Sequence, residues 1–121
     1  MRLFLSILSA TCLIGSAAFT QQAVSSGSGA KLRVLDKVSG QSSNYDVPTG
    51  QDLDIGKLSV VVRACRYPEG APANDAFAFL EVSETETAVS IFKGWMIASS
   101  PALNAMEHSR YDVWVLRCIT S

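Results

Sequence analysis

Residues 94–118 read GWMIASSPALNAMEHSRYDVWVLRC. The apolar run at the start of this stretch and the alternating run at its end are typical of two β-strands. Between them, Ser100 and Pro101 are the residue types preferred at a helix N-cap and at a first helical position. The stretch therefore predicts a strand, a short helix and a second strand. Leu103 and Met106, three positions apart, are expected to face the sheet from that helix.

The rest of the chain has a similar strand-like pattern. Apolar runs separated by turns that contain Gly, Pro and Ser predict strands at 31–38, 44–47, 57–66, 76–82 and 89–97. The run at 57–66 is apolar on both faces, which favours a central position, with Ala64 on the face of Val62 and Cys65 on the opposite face. The predicted fold class is all-β: a small β-sandwich or partly open barrel of about six or seven strands, with one short helix and one disulfide.

The N-terminal residues have the pattern of a secretory signal peptide. Arg2 precedes an apolar run, Leu3 to Ile14, that is too short to span a bilayer, and small residues around Ala18 offer a cleavage site. We expect a signal peptide over 1–18, a flexible leader over 19–30 and a single β domain over 31–121, with a periplasmic location. A retained N-terminal anchor is the alternative.

Cysteine usage fits export. The chain has three cysteines, and cleavage after Ala18 removes Cys12. The even pair that is left, Cys65 and Cys118, predicts a disulfide in an oxidising compartment. Two free thiols or half of a metal site are the alternatives, but no metal-ligand spacing accompanies the cysteines, and we expect no metal and no cofactor.

Charge restricts the classes of partner. The formal net charge is −1 at pH 7, and the chain contains no block of basic residues. Binding to nucleic acid is therefore not expected, nor is stable insertion of the mature domain into a membrane.

One set of residues has the types found in a catalytic triad: Ser99 or Ser100, His108 and Asp112. Each also has a structural explanation: Ser100 as a cap, His108 at a helix end, Asp112 on the solvent side of a strand. No Gly-x-Ser-x-Gly motif is present. We therefore assign no catalytic residue. An enzyme of unknown class that uses His108 with Ser99 or Asp112 remains the alternative.

Three residues of the C-terminal third are candidates for a partner-binding surface: Trp95, His108 and Tyr111. Aromatic rings are common at protein interfaces because they combine a large apolar area with a polar tip. Trp114, by contrast, is predicted to share a strand face with Leu116 and Cys118 and to pack in the core against the disulfide.

The same third of the chain resembles a known family. Three of its segments are similar to the hallmark of the short exported Gram-negative proteins grouped as domain of unknown function 2155: Gly94 to Pro101, Leu103 to His108 and Tyr111 to Cys118. Two upstream segments, 35–40 and 62–65, also look like landmarks of that family. Ile97, Met106 and Ser109 depart from its usual Phe, Leu and Pro.

This resemblance implies a small exported domain with a disulfide and no established activity. It also implies gene neighbourhoods that encode an accessory subunit of the respiratory NADH dehydrogenase. We therefore expect a non-enzymatic periplasmic domain that binds a protein, as an accessory component of respiratory NADH dehydrogenase or of another envelope assembly.

Overall fold

Eight β-strands make up the domain in a computed structural model that describes Thr11 and residues 23–120. The predicted signal peptide, apart from Thr11, and residues 19–22 of the predicted leader lie outside these described residues. Within them, no helix has the length and apolar character needed to cross a membrane. The strands are β1 Val24–Ser26, β2 Gly29–Asp36, β3 Ser42–Pro48, β4 Asp52–Ile55, β5 Leu58–Pro68, β6 Phe77–Glu84, β7 Ser90–Ile97 and β8 Tyr111–Ile119.

The strands form two antiparallel sheets. The larger sheet has the order β1-β5-β6-β7, with β4 also paired to β5, and the smaller has the order β3-β2-β8. Apolar side chains from both sheets form one core between them, because each strand turns alternate residues inward. Leu32 and Val47 of the smaller sheet and Leu58, Val62 and Leu80 of the larger one are fully buried there. The all-β, sandwich-like prediction is confirmed, with eight strands in place of six or seven.

The predicted short helix is wrong. Residues 101–104 form a turn, and residues 23–120 contain no helix. The Leu103 N–H donates to the Ser100 carbonyl at 3.1 Å, so the chain closes one turn and then leaves it. A single turn gains too little hydrogen bonding to offset the cost of helix nucleation. Leu103 is 75% exposed, whereas Met106 is buried as predicted.

Two β-bulges change which side chains face the core. Arg63 is an extra residue on β5 relative to β6, and Leu116 is an extra residue on β8 relative to β2. Because strand faces alternate with a period of two, each inserted residue reverses the faces that follow it. Cys65 therefore lies on the same inner face as Val62, contrary to the sequence-based expectation.

The Cys65–Cys118 disulfide is confirmed. It joins β5 to β8, in the two different sheets, with a Cα–Cα distance of 5.7 Å, and both cysteines are buried. Trp114 precedes the bulge of β8 and lies half-buried on the outer face, opposite Arg33 of β2. The prediction that Trp114 packs in the core against the disulfide is therefore wrong.

Ordered pairing begins within the segment predicted to be a flexible leader. Ser26 of β1 pairs with Arg66 of β5, and β2 begins at Gly29. The chain passes close to the end of β8 between these strands, where a Cβ on Gly27 would lie 2.7 Å from the Ile119 carbonyl oxygen. A side chain at position 27 would therefore disturb the passage from β1 to β2.

Candidate functional site

A group of aromatic and apolar side chains lies on the outer face of the larger sheet. On β6, Ala78 and Leu80 point into the core, so Phe77 and Phe79 point outward. On the neighbouring β7, Ile97 lies opposite Phe77 and Trp95 lies opposite Phe79. Together with Arg66 of β5, which also lies opposite Phe77, these residues form what we call the aromatic face: Arg66, Phe77, Phe79, Trp95 and Ile97.

Trp95 is the most prominent residue of this face. Its ring meets the Phe79 ring edge-on, with centroids 5.4 Å apart and an interplanar angle of 77°. The Arg66 guanidinium lies over the Trp95 ring, 5.3 Å from its centroid, in a cation–π arrangement. The residue is nevertheless 38% exposed. Two neighbours thus hold the ring while a large part of its surface stays available to a partner.

Gly94 and Asn104 fix the backbone beside this ring. The Asn104 side-chain amide donates to the Trp95 carbonyl oxygen at 2.9 Å, which ties the loop after β7 back to that strand. A Cβ on Gly94 would lie 2.9 Å from the same amide nitrogen. Glycine at position 94 therefore leaves the space that the Asn104 side chain occupies.

His108 links two strands at another corner of the domain. Its Nδ1 accepts the backbone N–H groups of Arg110 at 3.0 Å and Tyr111 at 3.2 Å. With two donors at Nδ1, the ring proton of the neutral imidazole belongs on Nε2, which lies 3.3 Å from Glu84 Oε1. The imidazole therefore holds the start of β8 against the end of β6.

Tyr111 is a core residue at this corner. It is 5% exposed, and its hydroxyl accepts the Lys57 backbone N–H at 3.4 Å. Gly56, at φ 58°, passes directly over the ring, where an added Cβ would lie 2.5 Å from the hydroxyl oxygen. Tyr111 therefore contributes to packing and offers little surface to a partner.

The three candidate surface residues do not form one surface. His108 and Tyr111 are neighbours, with ring centroids 5.6 Å apart. Trp95, however, lies opposite Phe79 on β6. His108 contacts Glu84, which is five residues further along the same strand. At a rise of about 3.3 Å per residue, that separation is about 16 Å.

The residues of the alternative catalytic set also lie apart. Ser99 Oγ donates to Asp75 Oδ2 at 2.7 Å, and Asp112 Oδ1 is 3.6 Å from Lys37 Nζ. Neither Ser99 nor Asp112 has a hydrogen bond or ion pair with His108 in the part of the chain that the structure describes. His108 uses both ring nitrogens in contacts with other residues. The structure therefore does not assemble a Ser–His–Asp arrangement from these residues.

Hydrogen bonds and ion pairs shift the pKa of several acidic groups. Desolvation raises the pKa of Asp75, but hydrogen bonds from Ser99 and from the Ala76 N–H outweigh it, and the net pKa is lowered. The hydrogen bond from Arg110 holds the pKa of Asp36 low, and the bond from Arg63 does the same for Glu81. Within residues 23–120, no group of three or more His, Cys, Asp or Glu side chains is placed to hold a metal ion.

Arg66 is the residue of the aromatic face that the sequence pattern did not indicate. Strand alternation within residues 76–82 predicts that Phe77 and Phe79 share a face, but it carries no information on which residues of β5 and β7 lie opposite them. The register of both pairings brings Arg66 and Trp95 to Phe77 and Phe79. Because the β5–β6 register depends on the bulge at Arg63, the sequence pattern alone did not bring Arg66 to this face.

Comparison with known proteins identifies the family. No solved structure matches the chain. The uncharacterized protein RP359 of Rickettsia prowazekii (strain Madrid E) is 23% identical over 91 residues, which cover 73% of this chain and 59% of the relative. The chain thus spans less than two thirds of the length of that relative. Residues 30–118 match the model of the family DUF2155, described as uncharacterized proteins conserved in bacteria, and the chain belongs to that family.

Proposed function

We propose that this chain is an exported, non-enzymatic domain that binds a protein partner through the aromatic face. The observation that carries the proposal is Trp95, 38% exposed on an outer sheet face and held between Arg66 and Phe79. Trp and Arg dominate the binding energy of many interfaces, because both combine a large contact area with directional interactions.

The shape of this surface supports a protein as the ligand. The aromatic face lies on the outside of a sheet, whereas small-molecule sites are usually concave and enclose most of their ligand. Four apolar side chains lie in two adjacent cross-strand pairs, Phe77 with Ile97 and Phe79 with Trp95. A contiguous apolar group of this kind, edged by an arginine, is typical of protein interaction sites.

Export is part of the proposal. The signal-like residues 1–18 support a periplasmic location. The disulfide between Cys65 and Cys118 supports it as well, because such bonds persist in oxidising compartments and are rare in the cytosol. The gene neighbourhoods implied by the family resemblance favour a partner in a respiratory assembly, such as NADH dehydrogenase, or in another envelope complex.

Site-specific photocrosslinking in cells that express the full chain tests the proposal. A benzophenone amino acid at position 97 reports on the aromatic face, and the same probe at Asn44, exposed on β3 of the other sheet, is the matched control. We expect a covalent adduct with one protein from position 97 and none from position 44. Trp95→Ala in the position 97 background should remove most of that adduct.

Two results would contradict the proposal. The first is the same set of adducts from positions 97 and 44. The second is an adduct from position 97 whose yield is unchanged by Trp95→Ala in a variant that melts at the wild-type temperature. Mass spectrometry of the adduct identifies the partner.

A further inference from the structure

We infer that the partner binds by adding an extended segment of its chain to the free edge of β7, beside Lys93 and Trp95. The inference rests on the proposed function, because the segment would continue the contact made at the aromatic face. β7 is the last strand of the larger sheet and pairs with β6 on one side only.

The hydrogen-bond pattern shows which backbone groups of β7 point away from β6. The Ala98 N–H donates to the Ala76 carbonyl across the β6–β7 pair. In an antiparallel pair, residues that exchange hydrogen bonds alternate with residues whose N–H and C=O point to the other side. Met96 and Gly94 therefore bond to β6, while Lys93, Trp95 and Ile97 direct their backbone groups to the open edge.

Two of these outward groups already have partners, which supports the assignment. The Trp95 carbonyl accepts from the Asn104 side chain at 2.9 Å, and the Ile97 carbonyl accepts the Ser100 N–H at 3.1 Å. The loop after β7 thus caps the C-terminal half of the edge. Capping of this kind protects a sheet edge against unwanted pairing.

The edge is open just before this cap. Lys93 and Trp95 are paired with β6 at positions where their backbone groups point away from it, and β7 has no strand on its other side. Among residues 23–120, no turn or side-chain hydrogen bond reaches the N–H or C=O of Lys93 or the N–H of Trp95, and both side chains are exposed. These three backbone groups lie beside the half-exposed Trp95 ring and form a short row of two donors and one acceptor. A polypeptide backbone supplies the complementary row, as in recognition by strand addition.

The geometry also specifies a side chain of the partner. A residue of the added strand opposite Lys93 would exchange two hydrogen bonds with it, at the usual strand spacing of about 4.8 Å. The residue opposite Trp95 would direct its side chain to the same outer face as the indole. An apolar side chain there would pack on the exposed part of the Trp95 ring. The partner segment is therefore extended, short and apolar at that position.

A proline at position 93 distinguishes the contribution of the backbone N–H from that of the side chain. Lys93→Pro removes an N–H that points away from β6, and proline is tolerated at such edge positions. Lys93→Thr is the matched control, because it removes the same side chain and keeps the N–H. The readout is the partner adduct formed by the benzophenone probe at position 97. We expect Lys93→Pro to lower its yield by about tenfold, because the variant loses one interfacial hydrogen bond and disturbs the strand pairing around it. Lys93→Thr should leave the yield within about twofold.

Amide hydrogen exchange on the isolated chain is the second measurement. The amides of Lys93 and Trp95 should exchange rapidly, and those of Gly94 and Met96 slowly. Slow exchange at Lys93 and Trp95 in dilute protein would overturn the inference, because the edge would not be free. Protection that appears only as protein concentration rises would also overturn it, because a second copy of this chain would then be the occupant.

The crosslinking outcomes separate this inference from the proposed function. If Trp95→Ala removes the adduct and Lys93→Pro does not, the partner binds the aromatic face without strand addition, and only the inference fails. If neither substitution changes the adduct, the proposed function fails as well.

Discussion

Cys65 and Cys118 meet between the two sheets, with a β-bulge two residues before each of them in its strand. Without the extra residue Arg63, strict alternation would turn Cys65 to the outer face of β5. Without Leu116, it would turn Cys118 to the outer face of β8. Both bulges are therefore required for the disulfide to form inside the core.

Loss of this disulfide should destabilise the domain strongly. The cysteines are 53 residues apart, so in the chain-entropy model the bond stabilises the fold by about 4 kcal/mol. Urea unfolding of the wild-type protein, with and without a reductant, and of the Cys65→Ala/Cys118→Ala double variant should show this loss. Equal midpoints for the three samples would contradict the prediction, as would two thiols that react with an alkylating reagent before reduction.

Residues predicted from the sequence to share a face of β5 do so before its bulge and not after it. Alternation predicts one shared face for Leu58, Val60 and Val62, and the structure shows all three buried on the inner face of β5. After Arg63 the same alternation predicts the wrong faces. A bulge has little local sequence signature, because the extra residue is defined by the opposite strand. The all-β class follows from patterns within each strand, whereas the side of the sheet on which a cysteine lies depends on pairing between strands.

Ser99→Ala should destabilise the fold, and more at neutral pH than in acid. The Ser99 hydroxyl bonds to Asp75 Oδ2, and its loss at pH 7 should cost about 1 kcal/mol. The pKa of Asp75 lies below its usual value of 3.8, despite desolvation, because Ser99 and Ala76 donate to its ionised form. That stabilisation is present above pH 3.8 and is lost as the pH falls through the lower folded-state pKa.

Urea titrations at about pH 7 and about pH 3 measure this difference. Ser100→Ala is the matched control, because the Ser100 hydroxyl has no hydrogen bond within the described part of the chain and should change the midpoint little. This replaces the sequence-based view in which Ser100 caps a helix. An equal loss for both variants, or a Ser99→Ala loss that grows in acid, would contradict the prediction.

Gly94→Ala and Asn104→Ala should be coupled. Each substitution removes the bond from Asn104 to the Trp95 carbonyl, the first by crowding the amide and the second by deleting it. Each should therefore cost about 1 kcal/mol, but the double variant should cost about the same as Asn104→Ala alone. In the Asn104→Ala background, Gly94→Ala is expected to be neutral or slightly stabilising, because it reduces the entropy of the unfolded chain. Additive losses in urea unfolding would show that Gly94 serves another purpose.

The candidate site shows a similar division between predicted and unpredicted features. Trp95 was one of three candidates for a partner-binding surface, and its ring is 38% exposed on an outer face. Tyr111 was grouped with it, yet Gly56 lies directly over that ring and buries it. Gly56 is 55 residues away in sequence, and its positive φ depends on the tight turn between β4 and β5. A contact of this kind between distant parts of the chain has no signal in the pattern around Tyr111.

His108→Ala should destabilise the fold by about 2 kcal/mol. The substitution leaves the half-buried N–H groups of Arg110 and Tyr111 without their common acceptor, and an unsatisfied donor costs more than an average hydrogen bond gains. This expectation replaces the smaller dipole effect that a helix ending at His108 would have produced, since residues 101–104 form only a turn. Urea unfolding of the variant measures the loss.

Two further variants separate the contacts of the imidazole. In His108→Asn, the side-chain carbonyl oxygen replaces Nδ1 as an acceptor at the same position along the side chain, so about half of the lost stability should return. Glu84→Gln leaves both Nδ1 bonds in place. It alters the Nε2 contact and the bond that Glu84 Oε2 accepts from the Thr87 hydroxyl. Because Glu84 is 42% exposed, the change should be below about 0.5 kcal/mol. If Glu84→Gln were as destabilising as His108→Ala, the contact with Glu84 would be the main contribution of His108. If His108→Asn were no more stable than His108→Ala, the backbone N–H groups would not be what the histidine holds.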